Sequence, residues 1–238
     1  MSKCVSVIIP TYNRYDWVLN AIESVKAQGV PTQIIVVNDG STDSRYYGSE
    51  LKDIIGSGLL IHSTPNSSEI LREKFGSTDG RAAYTRNIGL RLATGDYVAF
   101  LDDDDIWLPG KLRAQIQAME DTKCEMSCTE ALTGVGKYSV DNKYELYLEQ
   151  CHRNFYDSIG IFQFPKVWNR AFLVKHNSCI TSSVIISKNV IGKIGEFPYK
   201  RVGEDYELWL RALEHTNCVF VDTPLIYYDF SHGGGILY

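Results

Sequence analysis

Hydrophobic residues follow two alternating patterns along the first part of the chain. Short apolar runs rich in Val and Ile are typical of buried strands, and the stretches between them repeat apolar residues at helical spacing. Strands are predicted at residues 5–9, 34–37, 59–61 and 97–101, and helices at residues 17–27, 45–55 and 81–93. This alternation predicts an α/β fold whose central sheet is mostly parallel and is covered by helices on both faces.

The second part of the chain is less regular. Helices are predicted at residues 110–121 and 204–215, and strands at residues 125–132, at residues 180–186 and near Val219 and Ile226. Between residues 133 and 176 neither pattern holds, although Tyr, Phe and Trp are frequent, which argues against a disordered linker. We interpret this segment as an irregular, substrate-facing part of a single domain spanning residues 1–238, or else as a second small core.

Polar residues collect in the loops that follow three of the predicted strands. These loops are residues 10–14, 38–43 and 102–105. The carboxyl ends of parallel strands lie at the same edge of a sheet, and ligands of such proteins bind beyond that edge. The sequence therefore predicts one ligand site to which three separate loops contribute.

The third of these loops is a run of four aspartates at residues 102–105. Two carboxylates about 4 Å apart repel by roughly 1 kcal/mol in water and by more near a protein surface. Clustered acids therefore take up protons, move apart or bind a cation. Oxygen ligands suit Mg²⁺ or Mn²⁺, which commonly share their coordination with the phosphates of a substrate. The alternative is a solvated acidic turn.

Composition and charge argue against several classes of protein. The chain has 44% hydrophobic and 22% charged residues, as globular domains do, and its net charge of −5 argues against general binding of nucleic acid. We expect no signal peptide, because the first apolar run is short, and no transmembrane segment, because no run reaches about 18 apolar residues. These features predict a cytoplasmic protein and leave peripheral association with a membrane open.

The six cysteines are scattered and form no Cys-x-x-Cys pair. Several lie within apolar stretches, so we interpret them as buried free thiols in a reducing compartment. Cys124 and Cys128 would share one face of a predicted strand, but no second pair accompanies them, so zinc is not predicted there.

Five segments of the chain resemble the motifs of one enzyme family. They are VSVIIPTYNR at 5–14, VNDGSTD at 37–43, TRNIGL at 85–90, the stretch 93–109 with its four aspartates, and GEDYELWLR at 203–211. In this order they resemble the inverting glycosyltransferases of family 2, which have the GT-A fold. The resemblance covers nearly the whole chain. It implies a nucleotide-sugar-binding half at residues 1–112 and an acceptor-binding half at residues 113–238.

The resemblance implies roles for residues of the first two loops. Thr11 and Tyr12 would line a nucleotide pocket together with Pro10 and Arg14. Asp39 would accept a hydrogen bond from the base, most simply from N3–H of uracil. Because an aspartate before a glycine commonly forms an Asx turn, that turn is a second interpretation of Asp39, and both can hold at once.

Two arginines of the predicted helix at residues 81–93 differ in what the resemblance implies. Arg81 corresponds to an arginine that contacts the nucleotide, and its fixed positive charge suits such a site. Arg86 lies about one turn further along, and we expect it only to brace the helix against the acidic loop.

The family's Asp-x-Asp motif is matched best by Asp102 and Asp104, although a shift by one residue along the run stays open. Asp104 would hold Mn²⁺ or Mg²⁺ directly, and Asp102 or Asp103 would reach ribose hydroxyls or metal-bound water. Asp105 would cap the following helix or support its neighbours. His232 would complete the metal shell or touch the diphosphate, and a solvated histidine is the alternative.

Asp205 matches the general base of the family. The structural alternative is that an acid in the first turn of a helix only favours the helix dipole and binds backbone N–H groups. The implied activity is metal-dependent, inverting transfer of a sugar from a nucleoside-diphosphate sugar, most simply a uridine one, to a hydroxyl of a glycan or lipid-linked acceptor in polysaccharide biosynthesis. A non-catalytic module that binds a nucleotide sugar or a glycan is the alternative. A sugar-nucleotide pyrophosphorylase is disfavoured, since loop 10–14 lacks glycine.

Overall fold

A computed structural model describes residues 3–56, 58–62, 66–148, 164–175 and 177–231. Its first four strands are parallel and lie in the order β3, β2, β1, β4. Their bounds are Val5–Thr11 (β1), Thr32–Asn38 (β2), Leu59–His62 (β3) and Tyr97–Phe100 (β4). Ile8 of β1 is paired with Ile35 of β2 and with Phe100 of β4, and all three side chains are fully buried. The four strands predicted in this part of the chain are confirmed.

The other six described strands make the sheet mixed. They are Ile106–Trp107 (β5), Met126–Gly134 (β6), Glu145–Leu146 (β7), Val167–Trp168 (β8), Ile185–Ser187 (β9) and Cys218–Asp229 (β10). Strand β9 is antiparallel to both β4 and β6, β10 is parallel to β6, and β5, β7 and β8 are antiparallel to the strands they join. Strands β6 and β10 therefore run in the same direction as β1 to β4, and the carboxyl ends of all six lie at one edge of the sheet.

Helices cover both faces of this sheet. Their bounds are Tyr15–Lys26 (α1), Ser49–Ile55 (α2), Ser67–Phe75 (α3), Arg81–Leu92 (α4), Lys111–Thr122 (α5), Arg170–Leu173 (α6), Lys188–Ile194 (α7) and Glu204–Ala212 (α8). Val7 and Ile9 of β1 belong to a first core with residues of α1, α2 and α5, whereas Ile8 belongs to a second core with residues of α4, α7 and α8. Gly89 allows α4 to lie close to β1, since a Cβ there would be 2.4 Å from Cγ2 of Ile8. The predicted α/β class, with helices on both faces, is confirmed.

Several elements differ from the sequence prediction. The pattern does not predict α3, in which Leu71 is the only buried apolar residue, or the short helices α6 and α7. Residues 180–186, predicted as a strand, form a 3-10 turn at Thr181–Ser183 followed by β9. The two short strands near Val219 and Ile226 are one strand, β10, whose pairing with β6 shifts on both sides of Pro224. Proline disrupts the pairing because it has no backbone N–H to donate.

Described aromatic residues of the segment 133–176 pack against β10. Trp168 is fully buried, and its ring stacks on Phe220 of β10 with the centroids 4.9 Å apart. Tyr144 packs against Tyr227 of β10 at the same centroid distance of 4.9 Å. Trp168 and Phe220 belong to the same core as Ile8, so they do not form a separate small core. Residues 149–163 and 176 lie outside the described residues, so a substrate-facing role for the segment stays a prediction.

Within the described ranges, no helix is long and apolar enough to cross a membrane. The cysteines that the structure describes are free thiols, in agreement with the expectation of unpaired cysteines. Four of them are buried, and Cys4 is half-buried.

Candidate active site

A cleft of about 850 Å³ opens at the carboxyl ends of β1, β2 and β4. It brings together nine of the residues that the sequence implicated: Pro10, Thr11, Tyr12, Arg14, Asp39, Arg81, Asp102, Asp103 and Asp104. Asp205 is not among the lining residues, although its neighbour Glu204 is. His232 lies outside the described residues. The predicted convergence of three strand-end loops on one site is confirmed.

Hydrogen bonds fix the first loop to the second. The hydroxyl groups of Thr11 and Tyr46 are 2.7 Å apart. Asn13 has a φ of 54°, a left-handed conformation that asparagine tolerates, and its side-chain oxygen accepts a bond from the N–H of Thr42 at 2.8 Å. Tyr12 is 41% exposed on this rigid loop, so its ring is available to stack on a planar ligand.

Cationic side chains enter the cleft from two further segments. Arg81 is the first residue of α4, and Lys200 and Arg201 shortly precede α8. Gly80 lets these segments meet, because its φ is 84° and a Cβ there would lie 2.8 Å from Cα of Tyr199. With Arg14 and Arg86, these three side chains bring the cationic side chains that line the cleft to five, and cations of this kind pair with an anionic ligand such as a diphosphate. Lys200 and Arg201 lie outside the family motifs, and the sequence indicates them only as two consecutive basic residues.

The carboxylate of Asp39 is bound by the start of α3. Its Oδ1 accepts a hydrogen bond from the N–H of Ser67 at 2.6 Å, and its Oδ2 accepts one from the Ser67 hydroxyl. The Asx-turn interpretation of Asp39 is wrong, because the N–H of Ser41 donates to the side chain of Asn38 instead. Burial raises the pKa of Asp39, whereas the bonds from Ser67 and the charge of Arg81 lower it. Since each carboxylate oxygen has a further lone pair, contact with a nucleotide base stays a prediction.

Two buried carboxylates of the acidic loop share one guanidinium group. Nη1 of Arg14 is 3.0 Å from Oδ1 of Asp103 and 2.8 Å from Oδ2 of Asp104. Each aspartate is only 6% exposed. The pKa of Asp103 is raised to about 6 and that of Asp104 to about 7, mainly because the carboxylates are buried. Repulsion by other aspartates of the loop adds to both shifts, whereas the positive charge of Arg14 lowers both pKa values. The ionised pair would therefore be stabilised by additional positive charge.

This donor set fits Mg²⁺ or Mn²⁺. It consists of carboxylate oxygens alone, and the raised pKa values indicate that Arg14 does not fully offset the cost of burying the charges. Mg²⁺ is commonly held by one or two carboxylates and completes its coordination with water and substrate phosphates. Asp103 and Asp104 are the residues that would hold such an ion, and Asp104 is the ligand that the sequence predicts.

Asp102 has a different partner. Its Oδ1 is 2.6 Å from Nη2 of Arg86, whose Nη1 is 3.1 Å from Oε1 of Glu204. Arg86 is 5% exposed. Burial alone would lower its pKa, but the negative charges of Asp102 and Glu204 outweigh burial and raise the pKa above its usual value. The buried guanidinium thus connects α4, the acidic loop and α8, and the bracing role predicted for Arg86 is confirmed. The sequence motifs predict no role for Glu204 at the site, although it adjoins Asp205.

Asp105 anchors the acidic loop to the sheet. It is fully buried and accepts hydrogen bonds from the hydroxyl of Ser182 and, at 3.0 Å, from the N–H of Asp229 in β10. Helix α5 begins after Gly110 without a side-chain cap, so the capping role considered for Asp105 is wrong. Burial, with repulsion from Asp104, raises the pKa of Asp105 well above its usual range. Of the two roles considered for Asp105, its contacts with Ser182 and Asp229 agree with support of the acidic loop.

Asp205 lies in the first turn of α8 and is half-buried. Its Oδ2 accepts a hydrogen bond from the hydroxyl of Thr181 at 2.8 Å, and its Oδ1 accepts one from the N–H of Tyr206 at 2.6 Å. The second bond satisfies an N–H at the start of the helix, where Gly203 provides no side-chain cap. This geometry is compatible with both the helix-start role and the general-base role. Thr181 is a further candidate that no sequence motif indicates, since it lies 24 residues earlier in the chain.

Curated relatives of the chain are glycosyltransferases. The chain is 30% identical over 239 residues to the Escherichia coli protein named UDP-Glc:alpha-D-GlcNAc-diphosphoundecaprenol beta-1,3-glucosyltransferase WfaP, with 98% of this chain and 80% of WfaP covered. It is 31% identical over 228 residues to an uncharacterized glycosyltransferase of Rickettsia felis, with 93% of this chain covered. It spans only 32%, about a third, of the length of that second relative.

Solved structures of glycosyltransferases share the fold. S. aureus TarS 1–349 in complex with UDP matches with a TM-score of 0.68 at 18% identity, over 94% of this chain and 60% of TarS 1–349. The mannosyltransferase PcManGT from Pyrobaculum calidifontis, in complex with GDP-Man and Mn²⁺, matches with a TM-score of 0.61 at 17% identity, over 98% of this chain and 59% of its own. The protein-family description "Glycosyl transferase family 2" matches residues 6–184. The chain has a GT-A fold and belongs to glycosyl transferase family 2.

Proposed function

We propose that the chain transfers a hexose from a uridine-diphosphate sugar to a hydroxyl group of a lipid-linked saccharide, with inversion at the anomeric carbon. The observation that carries this proposal is the pair of buried carboxylates, Asp103 and Asp104, in a cleft lined by cationic side chains. Carboxylates with raised pKa values beside Arg14 suit a divalent cation and a diphosphate together.

Uridine is the nucleoside that the site chemistry favours. Asp39 would accept N3–H of uracil with a free lone pair, while its bonds to Ser67 hold the carboxylate in place. The exposed ring of Tyr12 would stack on the base. WfaP is named for UDP-Glc, and TarS was solved with UDP. PcManGT was solved with GDP-Man, so the fold alone does not decide between the two bases.

The diphosphate would lie among positive charges. Arg81, Lys200 and Arg201 all line the cleft, and they would pair with the phosphate oxygens. Asp103 and Asp104 would hold Mn²⁺ or Mg²⁺. When bound, the ion neutralises negative charge that develops on the leaving nucleoside diphosphate. Charge stabilisation that increases as the bond breaks accelerates the reaction itself, beyond improving substrate binding.

Asp205 would act as the general base in a single displacement. Its carboxylate takes the proton of the acceptor hydroxyl as that oxygen bonds to the anomeric carbon. The bond from that carbon to the diphosphate oxygen breaks at the same time, and the nucleoside diphosphate leaves with the electron pair. The hydroxyl of Thr181, bonded to Oδ2, would hold the carboxylate in orientation. Attack opposite the leaving group converts an α-linked donor into a β-linked product.

Incubation with UDP-glucose, Mn²⁺ and a GlcNAc-diphospho-lipid tests the proposal, because the name of WfaP specifies this donor and acceptor class. We expect a product one hexose larger by mass spectrometry, with a β-linkage by NMR, and no product when the metal is removed with EDTA. An α-linked product would contradict inversion. Binding of UDP-glucose without transfer or hydrolysis, across a panel of lipid-linked and free glycan acceptors, would instead support a non-catalytic binding module.

A further inference from the structure

Three cysteine thiols from separate parts of the chain meet inside the second core. Cys128 lies on β6, Cys179 precedes the turn at Thr181–Ser183, and Cys218 begins β10. Their sulfur atoms all lie within 4.8 Å of one another, and Sγ of Cys218 is 3.6 Å from Sγ of Cys128. Over the described part of the chain, this is the only group of three His, Cys, Asp or Glu side chains with ligand atoms so close together.

The spacing of the sulfur atoms suits one ion bound by three ligands. Bonds of about 2.3 Å, typical of thiolate–metal contacts, place three sulfurs roughly 4 Å apart around a central ion. The sulfur atoms of Cys128 and Cys218 are 3.6 Å apart, slightly closer than that value. All three sulfur atoms lie within 4.8 Å of one another, which is slightly above it. A structural zinc site takes four ligands, and the described residues supply no fourth His, Cys, Asp or Glu to this group. Cu(I) is a soft ion that thiolates select and that accepts three sulfur ligands.

Hydrogen bonding and burial act in opposite directions on the thiols of this group. Hydrogen bonds from the other two thiols lower the pKa of Cys179 to about 6. Burial raises the pKa of Cys128 and of Cys218 well above the usual range of a thiol. Thiolates rather than thiols bind metal ions, so binding of an ion would release protons from these sulfurs.

The surroundings separate this group from the acidic loop. All three cysteines are at most 3% exposed and belong to the core that contains Trp168 and Phe220. Sulfur ligands in an apolar environment select soft ions, whereas the carboxylates of the cleft select hard ones. The two sites should therefore load different ions without competition.

We propose that Cys128, Cys179 and Cys218 form a binding site for one Cu(I) ion, distinct from the nucleotide cleft. The ion binds the three sulfur atoms as thiolates, the displaced protons pass to solvent, and no electron is transferred.

Anaerobic titration of the reduced, metal-free protein with Cu(I), in competition with the chromophoric chelator bicinchoninate, tests the site. We expect one equivalent to bind, with at least tenfold lower affinity in Cys128→Ala and in Cys218→Ala. Cys124→Ala is the matched control, because Cys124 is buried just before β6 but lies outside the group, and it should bind as the wild type does. Cys179 is left unchanged, since it lies two residues before Thr181, which contacts Asp205.

X-ray absorption at the copper edge provides a readout that needs no variant. Three sulfur scatterers are expected in the wild-type protein, and saturating Mn²⁺ should not change the copper stoichiometry. Circular dichroism checks that each variant is folded. If a variant does not fold, the X-ray absorption spectrum of the wild-type protein alone tests whether copper has three sulfur ligands. The proposal is overturned if the wild type does not compete with the chelator, if folded Cys218→Ala binds as tightly as the wild type, or if copper has nitrogen or oxygen ligands.

Discussion

Nη1 of Arg14 lies 2.8 Å from Oδ2 of Asp104 and also contacts Asp103, so a side-chain cation sits beside both carboxylates that are proposed to hold a metal ion. Arg14 and a divalent ion would therefore stabilise the same negative charges. In the metal-free protein, Arg14 should carry a structural role that the ion can take over. This relationship can be tested by stability measurements alone.

We expect Arg14→Gln to lower the free energy of unfolding of the metal-free protein by about 1–3 kcal/mol at pH 8, because two buried, ionised carboxylates lose a charged hydrogen-bond donor. Mn²⁺ should raise the melting temperature of this variant more than that of the wild type. Thermal unfolding with EDTA and with Mn²⁺ measures both effects. Arg45→Gln is the control, since Arg45 pairs with Asp16 and Asp43 at the surface and should leave stability essentially unchanged. Equal metal responses of wild type and Arg14→Gln would contradict the shared role.

The pH dependence of stability should reveal the raised carboxylate pKa values. Since the pKa values of Asp103 and Asp104 are raised to about 6 and about 7, from 3.8, the folded state binds more protons than the unfolded state between pH 4 and pH 7. These groups therefore stabilise the metal-free fold at low pH, and their contribution is lost as pH rises through 6 to 7. Chemical unfolding in EDTA should show Asp104→Asn gaining stability relative to the wild type from pH 5 to pH 8. A difference that does not change with pH would show that Asp104 has an ordinary pKa.

Metal and nucleotide should bind through the same residue. Asp104→Asn removes one carboxylate of the pair, so we expect calorimetry to show weaker binding of Mn²⁺ and weaker metal-dependent binding of UDP, by at least tenfold each. Asp53→Asn makes the same substitution at an exposed aspartate of α2 and should leave the binding of Mn²⁺ and UDP unchanged. Unchanged metal-dependent UDP binding in Asp104→Asn would show that the ion lies elsewhere.

Two roles of Asp39 can be separated by mutation. Ser67→Ala removes a hydroxyl that donates to Asp39 and should cost about 1 kcal/mol of stability, while UDP is still preferred over GDP. Asp39→Asn should weaken that preference, because an amide can present a donor to N3–H of uracil. Calorimetric titration of both variants with UDP and GDP measures the preference. GDP binding at least as tight as UDP binding in the wild type would overturn the assignment of uridine.

The sequence predicted the parts of the site that are local in the chain. The loop 102–105 and the loop after β1 follow apolar strands, so their placement at one edge follows from the parallel arrangement. Long-range partners could not be predicted in the same way. The bond between Asp39 and Ser67 depends on α3, whose apolar pattern is weak although Asn66 caps it.

Distant side chains also account for the errors made within the acidic loop. Asp105 was a candidate helix cap because of its position in sequence, yet it is bound by Ser182 and the backbone of Asp229. The cluster around Cys128 was likewise not predictable, since its members lie on β6, before a turn and at the start of β10. Register and packing decide such contacts, and neither is encoded in residue spacing alone.

The general base is the central residue of the proposed mechanism. Asp205→Asn keeps the size of the side chain; its amide oxygen can accept the bond from the N–H of Tyr206 and its NH2 group can donate to the hydroxyl of Thr181, so the fold and the cleft should be preserved. It cannot take the proton of the acceptor. Thr181→Val serves as a comparison, since it removes the orienting hydroxyl and leaves the carboxylate, and it should reduce transfer less than Asp205→Asn does.

The most direct test is the rate of hexose transfer by Asp205→Asn at saturating donor and Mn²⁺, measured beside the affinity of the same variant for UDP. We predict that transfer falls by about 10² to 10⁴, the range expected for loss of a positioned base, while UDP and Mn²⁺ bind within a few-fold of the wild type. Transfer within a few-fold of the wild-type rate would contradict the mechanism, and a loss confined to UDP affinity would assign Asp205 a helix-capping or substrate-positioning role instead.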